Sequence, residues 1–136
     1  MKDYLLELVS QKQGLNAKLN LMREYLQAYI LRVMQDEGVF RSTAFVGGTA
    51  LRFLYGLPRF SEDLDFSLEG EPSITFMALL KKITFELSSA GYNISSDHND
   101  KKNVNSAFIK FSGLMFEACI SPLKSQNFSI KIEIDT

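Results

Sequence analysis

From Phe128 to Asp135 the sequence alternates strictly, with Phe128, Ile130, Ile132 and Ile134 in one set and Ser129, Lys131, Glu133 and Asp135 in the other. A period of two is that of an extended strand with one face in a core and one face turned out. Four large apolar side chains on one face need a covering layer, and the rest of the chain has the periodicity to supply it.

The first 37 residues read as helix. Leu5, Leu8 and Val9 share a face, Gly14 interrupts, and Asn16 is the expected cap of a longer helix. In that helix Leu19, Met22, Leu26, Tyr29, Ile30 and Val33 keep the 3.6-residue period, while Arg23, Gln27 and Asp36 fall off the stripe. The helix therefore reads as a packing face rather than a site. A short strand through Thr43–Val46 is expected to end at Gly47-Gly48, and Thr49 to Tyr55 to form one or two helical turns closed by Gly56. Pro58 sets a turn, and Asp63 to Leu68 alternates as a half-buried strand before Gly70 and Pro72 break it.

Further on, Ser73 is expected to cap a helix from Ile74 to Ala90, burying Phe76, Leu79, Leu80, Ile83 and Leu87 and stopping at Gly91. Tyr92 to Ser95 begins a strand, Ser96 to Asn103 reads as a polar loop, and Val104 to Phe111 resumes a strand, making a hairpin. The Asp97-His98-Asn99-Asp100 run within that loop lacks the spaced oxygens and glycine of a calcium loop, and reads as solvated. The order implies an α/β (α+β) domain: one mixed β-sheet with helices packed against it, a single unit over 1–136 with 1–37 as its N-terminal helical segment.

Charge and cysteine usage narrow the function classes. Fifteen basic residues against sixteen acidic ones leave a net charge of -1, without the Lys and Arg excess of a dedicated nucleic-acid binder. The single cysteine, Cys119, excludes an intrachain disulfide, and its partly apolar setting Phe116-Glu117-Ala118-Cys119-Ile120 predicts a buried, inert thiol. No stretch approaches the ~18 consecutive apolar residues of a membrane span. The start Met1-Lys2-Asp3-Tyr4 lacks the layout of a secretory leader. A cytoplasmic protein is the expectation.

Three features carry chemistry. Gly47-Gly48-Thr49 lies at a strand-to-helix junction, where glycines let backbone N–H groups approach a ligand and a helix start favours phosphate. Asp63-Leu64-Asp65 puts two carboxylates on one strand face, roughly 6.5–7 Å apart at Cα. Their repulsion, about 4 kcal/mol at a 4 Å charge separation and an effective dielectric near 20, calls for a cation. Mg²⁺ fits, since it takes one or two carboxylates together with substrate phosphate oxygens. Lys131-Ile132-Glu133-Ile134-Asp135 adds a lysine and two further acids on one strand face. A third carboxylate beside Asp63 and Asp65 would complete a two-metal site. Between the first two features, Arg59 and Ser61 are candidates for phosphate contact.

At these residues the chain resembles a known family. Gly47-Gly48-Thr49-Ala50-Leu51-Arg52, then Tyr55-Gly56-Leu57-Pro58-Arg59-Phe60-Ser61-Glu62-Asp63-Leu64-Asp65-Phe66, is similar to the AbiEii/AbiGii nucleotidyltransferase toxins, which share the polymerase β-like nucleotidyltransferase fold. The resemblance covers about 16–136. It implies Asp63 and Asp65 as metal ligands, Glu133 as third carboxylate with Asp135 as rival, and Lys131 near the nucleotide phosphates. It also implies Ser61 near the transferred phosphate, while the physics of phosphoryl transfer by itself assigns Gly47, Gly48 and Thr49 to the triphosphate tail, helped by Arg52 or Lys131.

The implied activity is transfer of a nucleoside monophosphate from an NTP to an acceptor, such as tRNA or a protein. The implied cofactor is Mg²⁺ (or Mn²⁺), and the implied partner is a neutralising antitoxin. Family members continue into a largely helical C-terminal region, so the chain reads as the N-terminal part of a longer protein. Two alternatives stay open. One is a catalytically incomplete nucleotide- or partner-binding module. The other, a phosphatase of the haloacid dehalogenase type, is disfavoured because Arg59-Phe60-Ser61-Glu62 is not the apolar strand that should precede its nucleophilic Asp.

Overall fold

A computed structural model describes residues 2–56, 62–101 and 103–136. Helices α1 (Lys2–Ser10) and α2 (Leu15–Asp36) lead through a short 3-10 turn, Val39–Arg41, to β1 (Thr43–Val46). There follow α3 (Gly47–Tyr55), β2 (Leu64–Leu68), α4 (Phe76–Ser89), β3 (Ile94–Lys101), β4 (Val104–Phe111), α5 (Leu114–Glu117) and β5 (Phe128–Asp135). The five strands form one sheet in the order β1-β2-β5-β4-β3. β2 and β5 are parallel and the other neighbours antiparallel, so the sheet is mixed. Among the described residues no helix is long and apolar enough to cross a membrane.

The alternation of β5 decides which face is which. Phe128, Ile130, Ile132 and Ile134 are all buried, together with Leu64 and Phe66 of β2 and Ala107, Ile109 and Phe111 of β4. They join one core with Leu26, Ile30 and Val33 of α2 and Leu79, Leu80, Ile83 and Leu87 of α4. Each fully buried isoleucine contributes about 1.5–3 kcal/mol, against about 0–1 kcal/mol for a surface ion pair. The apolar face therefore sets the register, since a slip by one residue would turn all four side chains of β5 outward. The opposite face is left to Asp65, Lys131, Glu133 and their neighbours.

Several local expectations are corrected. The helix start at α2 is capped by Gly14, at φ 87°, rather than by Asn16, and no side chain caps it. At α4 the cap is Thr75, two residues beyond Ser73: its hydroxyl accepts the Ala78 N–H at 3.1 Å, and the helix begins at Phe76. The polar run from Ser96 is strand, not loop, paired with β4 as far as Lys101↔Val104. β3 is one edge of the sheet, where charged and polar residues discourage pairing with other chains. Cys119 is exposed, in the left-handed region at φ 59° just past α5, while its neighbour Ala118 takes the buried position.

Candidate active site

Parallel pairing of β2 with β5 brings the acidic motifs together. Asp65 is the register partner of Glu133, whereas Asp135 is opposite Ser67, one pleat farther along and exposed at the strand end. Asp63 directly precedes β2 and is exposed. Lys131 shares the face, and its Nζ lies 3.1 Å from Glu133 Oε2. Glu133 is thus the direct partner of the ammonium group, while Asp63 and Asp65 act on it only through their charge.

The charges of this cluster act on one another. Partial burial pushes the Asp65 carboxyl above its ordinary range, Asp63 and then Glu133 push it the same way, and Lys131 offsets only part of this. Lys131 is raised, first by its hydrogen bond to Glu133 and then by the charge of Glu133, with Asp63 and Asp65 adding to it.

The Gly-Gly junction is built against the same carboxylates. Val46 opposes Asp65 across β1 and β2, and Gly47, at φ +81°, follows with no side chain. A Cβ at Gly47 would stand 2.8 Å from Asp65 Oδ2, closer than side chains tolerate, so the missing atom makes room for that carboxylate. Glycine is also the residue that takes this φ without strain.

Thr49, expected on the nucleotide, is buried, and its hydroxyl donates to the Asp63 carbonyl. Its hydroxyl fixes the backbone that carries the first carboxylate. Arg52, also expected on the nucleotide, pairs with Glu24 Oε2 at 2.6 Å across a groove of about 570 Å³ lined by Leu21, Tyr25, Ala28 and Phe53. Its guanidinium is turned to α2. Gly48 is exposed in the first turn of α3. Arg59 and Ser61 lie outside the described residues.

Two residues of α2 that the apolar stripe excluded belong to this region. Gln27 is buried, and its amide donates to the Glu62 carbonyl at 3.1 Å. Arg23 donates to the Ser129 carbonyl at 3.1 Å, with its guanidinium carbon 4.6 Å from the centre of the Phe128 ring. Burial lowers the Arg23 pKa, and Glu62 and then Asp63 act to raise it. The signal was present: positions 23 and 27 are four apart and share one helix face.

Hard carboxylate oxygens from two adjacent strands are the donor chemistry of Mg²⁺ or Mn²⁺. Among the described residues no three acidic, histidine or cysteine side chains are gathered closely enough to hold a metal ion, and Glu133 is turned to Lys131. The donor types, and the sheet face shared by Asp65 and Glu133, suit such an ion.

The chain spans 43% of a crystal structure of JHP933 from Helicobacter pylori, matching over 85% of its own length at 24% identity and a TM-score of 0.58. It spans 44% of a crystal structure of an H. pylori protein assigned as a candidate nucleotidyltransferase, again over 85% of its own length, at 25% identity and a TM-score of 0.57. No curated protein matches. Residues 29–136 match the family described as the nucleotidyl transferase AbiEii toxin of type IV toxin–antitoxin systems, and the chain belongs to that family.

Proposed function

We propose that this chain supplies the metal- and nucleotide-binding half of a toxin that transfers a nucleoside monophosphate from an NTP to an acceptor, either an RNA such as tRNA or a protein. The observation that carries the reading is the pairing of Asp65 with Glu133, beside Asp63 and against Gly47. Asp63, Asp65 and Glu133 would hold Mg²⁺ or Mn²⁺. Bound there, the ions would polarise the α-phosphate and make the acceptor hydroxyl easier to deprotonate.

The remaining work is positioning and charge neutralisation, which dominate phosphoryl transfer. Gly47 and Gly48 bring backbone N–H groups to the triphosphate. Lys131, released when Glu133 turns away, offers its ammonium to the phosphates. Thr49 holds the Asp63 backbone, and Arg59 and Ser61 are further candidates for phosphate contact. The acceptor oxygen forms a bond to the α-phosphorus, the bond to the β-phosphate oxygen breaks, pyrophosphate leaves and the acceptor proton is lost. A cognate antitoxin is the expected protein partner.

A second reading is a nucleotide- or partner-binding module without catalysis. One observation favours it: Glu133 is paired with Lys131 rather than turned to Asp65. Incubation with each α-labelled NTP, Mg²⁺ and either total RNA or protein acceptors separates the two. Transfer is expected, and Asp63→Ala or Asp65→Ala should abolish it with the circular dichroism spectrum retained. Label transferred by either folded variant would sink the enzymatic reading; Mg²⁺-dependent NTP binding without transfer supports the binding module.

A further inference from the structure

The face that carries the carboxylates continues across two more strands. Glu133 lies between Asp65 on β2 and Ser106 on β4; one pleat away, Lys131 is opposite Phe108, and Phe108 is opposite Asp97 on β3. Directly opposed residues share a sheet face, so Phe108 is on the side of Asp65 and Glu133. Its strand neighbours Ala107 and Ile109 are buried on the other side, while Phe108 is 45% exposed. It is thus an aromatic residue that the core does not use. Lys131 Nζ lies 5.9 Å from its ring centre, and the Asp97–Lys110 ion pair lies beside it.

We propose that Phe108 is the stacking platform for the base of the incoming nucleotide. The inference rests on the reading of Asp63, Asp65 and Glu133 as the site of the reacting phosphate. Strands are about 4.8 Å apart, so β4 stands roughly 10 Å from β2 across the sheet. Over that span carboxylates, an ammonium group and an aromatic ring follow one another. In a nucleoside triphosphate the ribose and base lie on one side of the α-phosphate and the β- and γ-phosphates on the other, so with the α-phosphate at the carboxylates and Lys131 beside it, a base directed across the sheet toward β4 meets Phe108. The π-face accepts any base, and the neighbouring cation strengthens the stack. Phe108 is a binding residue in this account, with no part in the chemical step.

Calorimetric titration of this chain with Mg²⁺ complexes of the four NTPs and of inorganic tripolyphosphate tests it, beside Phe108→Leu and Phe108→Tyr. Phe108→Leu should weaken each NTP by about tenfold, the scale of one base–aromatic stack, and leave tripolyphosphate unchanged. Phe108→Tyr should restore the parent affinity. Equal NTP affinity in Phe108→Leu and parent overturns the inference and leaves the metal site standing. So does an equal loss of NTP and tripolyphosphate, or a parent that binds the two alike. A folded parent that binds neither ligand overturns the metal-site reading as well.

Discussion

Asp65 and Glu133 face each other across the parallel β2–β5 pair, and neither is neutralised by the other. Asp65 consequently carries a charge that the folded chain disfavours: burial, Asp63 and Glu133 all raise its carboxyl pKa.

A dependence of stability on pH follows. A raised pKa means that the folded chain binds more protons than the unfolded one, between the ordinary aspartate value of about 3.9 and the raised value. Stability from this group is therefore present at low pH and falls as pH rises through that window. In metal-free buffer at pH 7, Asp65→Asn is expected to raise the Tm, because it removes the disfavoured charge. The gain should shrink as the pH is lowered to about 3. A lower Tm at pH 7, or a gain that ignores pH, contradicts this assignment.

Gly47 is held to glycine by φ and by space together. Gly47→Ala places a Cβ 2.8 Å from Asp65 Oδ2 at φ +81°. It is expected to cost about 1–2 kcal/mol and to impair metal-dependent nucleotide binding by displacing the carboxylate. Gly70→Ala, with open space around it, is the control and should leave both unchanged. Denaturant unfolding and calorimetry of the two variants check the contrast; equal behaviour would remove the link between the glycine turn and Asp65.

The segment bearing Asp63 is gripped from both helices. Thr49 donates to the Asp63 carbonyl and Gln27 to the Glu62 carbonyl. Thr49→Val should lose about 1 kcal/mol and weaken Mg²⁺–NTP binding, with Thr49→Ser close to the parent. Gln27→Ala should cost about 1–3 kcal/mol, because a buried polar partner is removed. Full NTP affinity in Thr49→Val would show that the anchor has no bearing on the site.

What was legible in the sequence was what a period can encode. The two faces of β5, the apolar stripes of α2 and α4, the β3–β4 hairpin and the Gly56 stop of α3 all follow from spacing. Edge position cannot be read that way: Ser96 to Lys101 is polar because β3 has only one neighbour, and polarity alone imitates a loop. Caps failed at Asn16 and Ser73 because several capping residue types crowd each helix start, and the backbone chose Gly14 and Thr75. Choosing between Glu133 and Asp135 requires the register of two strands some 65 residues apart, which only tertiary packing sets. The contacts of Arg23 and Gln27 with Ser129 and Glu62 are not legible either, because the apolar stripe of α2 marks its packing face and says nothing of the side chains beside it.

The central claim is that Asp63, Asp65 and Glu133 assemble a cation site for a nucleoside triphosphate. Calorimetric titration of this chain with each Mg²⁺–NTP, beside Asp65→Asn and with EDTA as control, tests it most directly. Mg²⁺-dependent binding that identifies the preferred nucleotide and is lost in the folded variant is the expected result. Binding that survives EDTA, or equal affinity in Asp65→Asn, would contradict it.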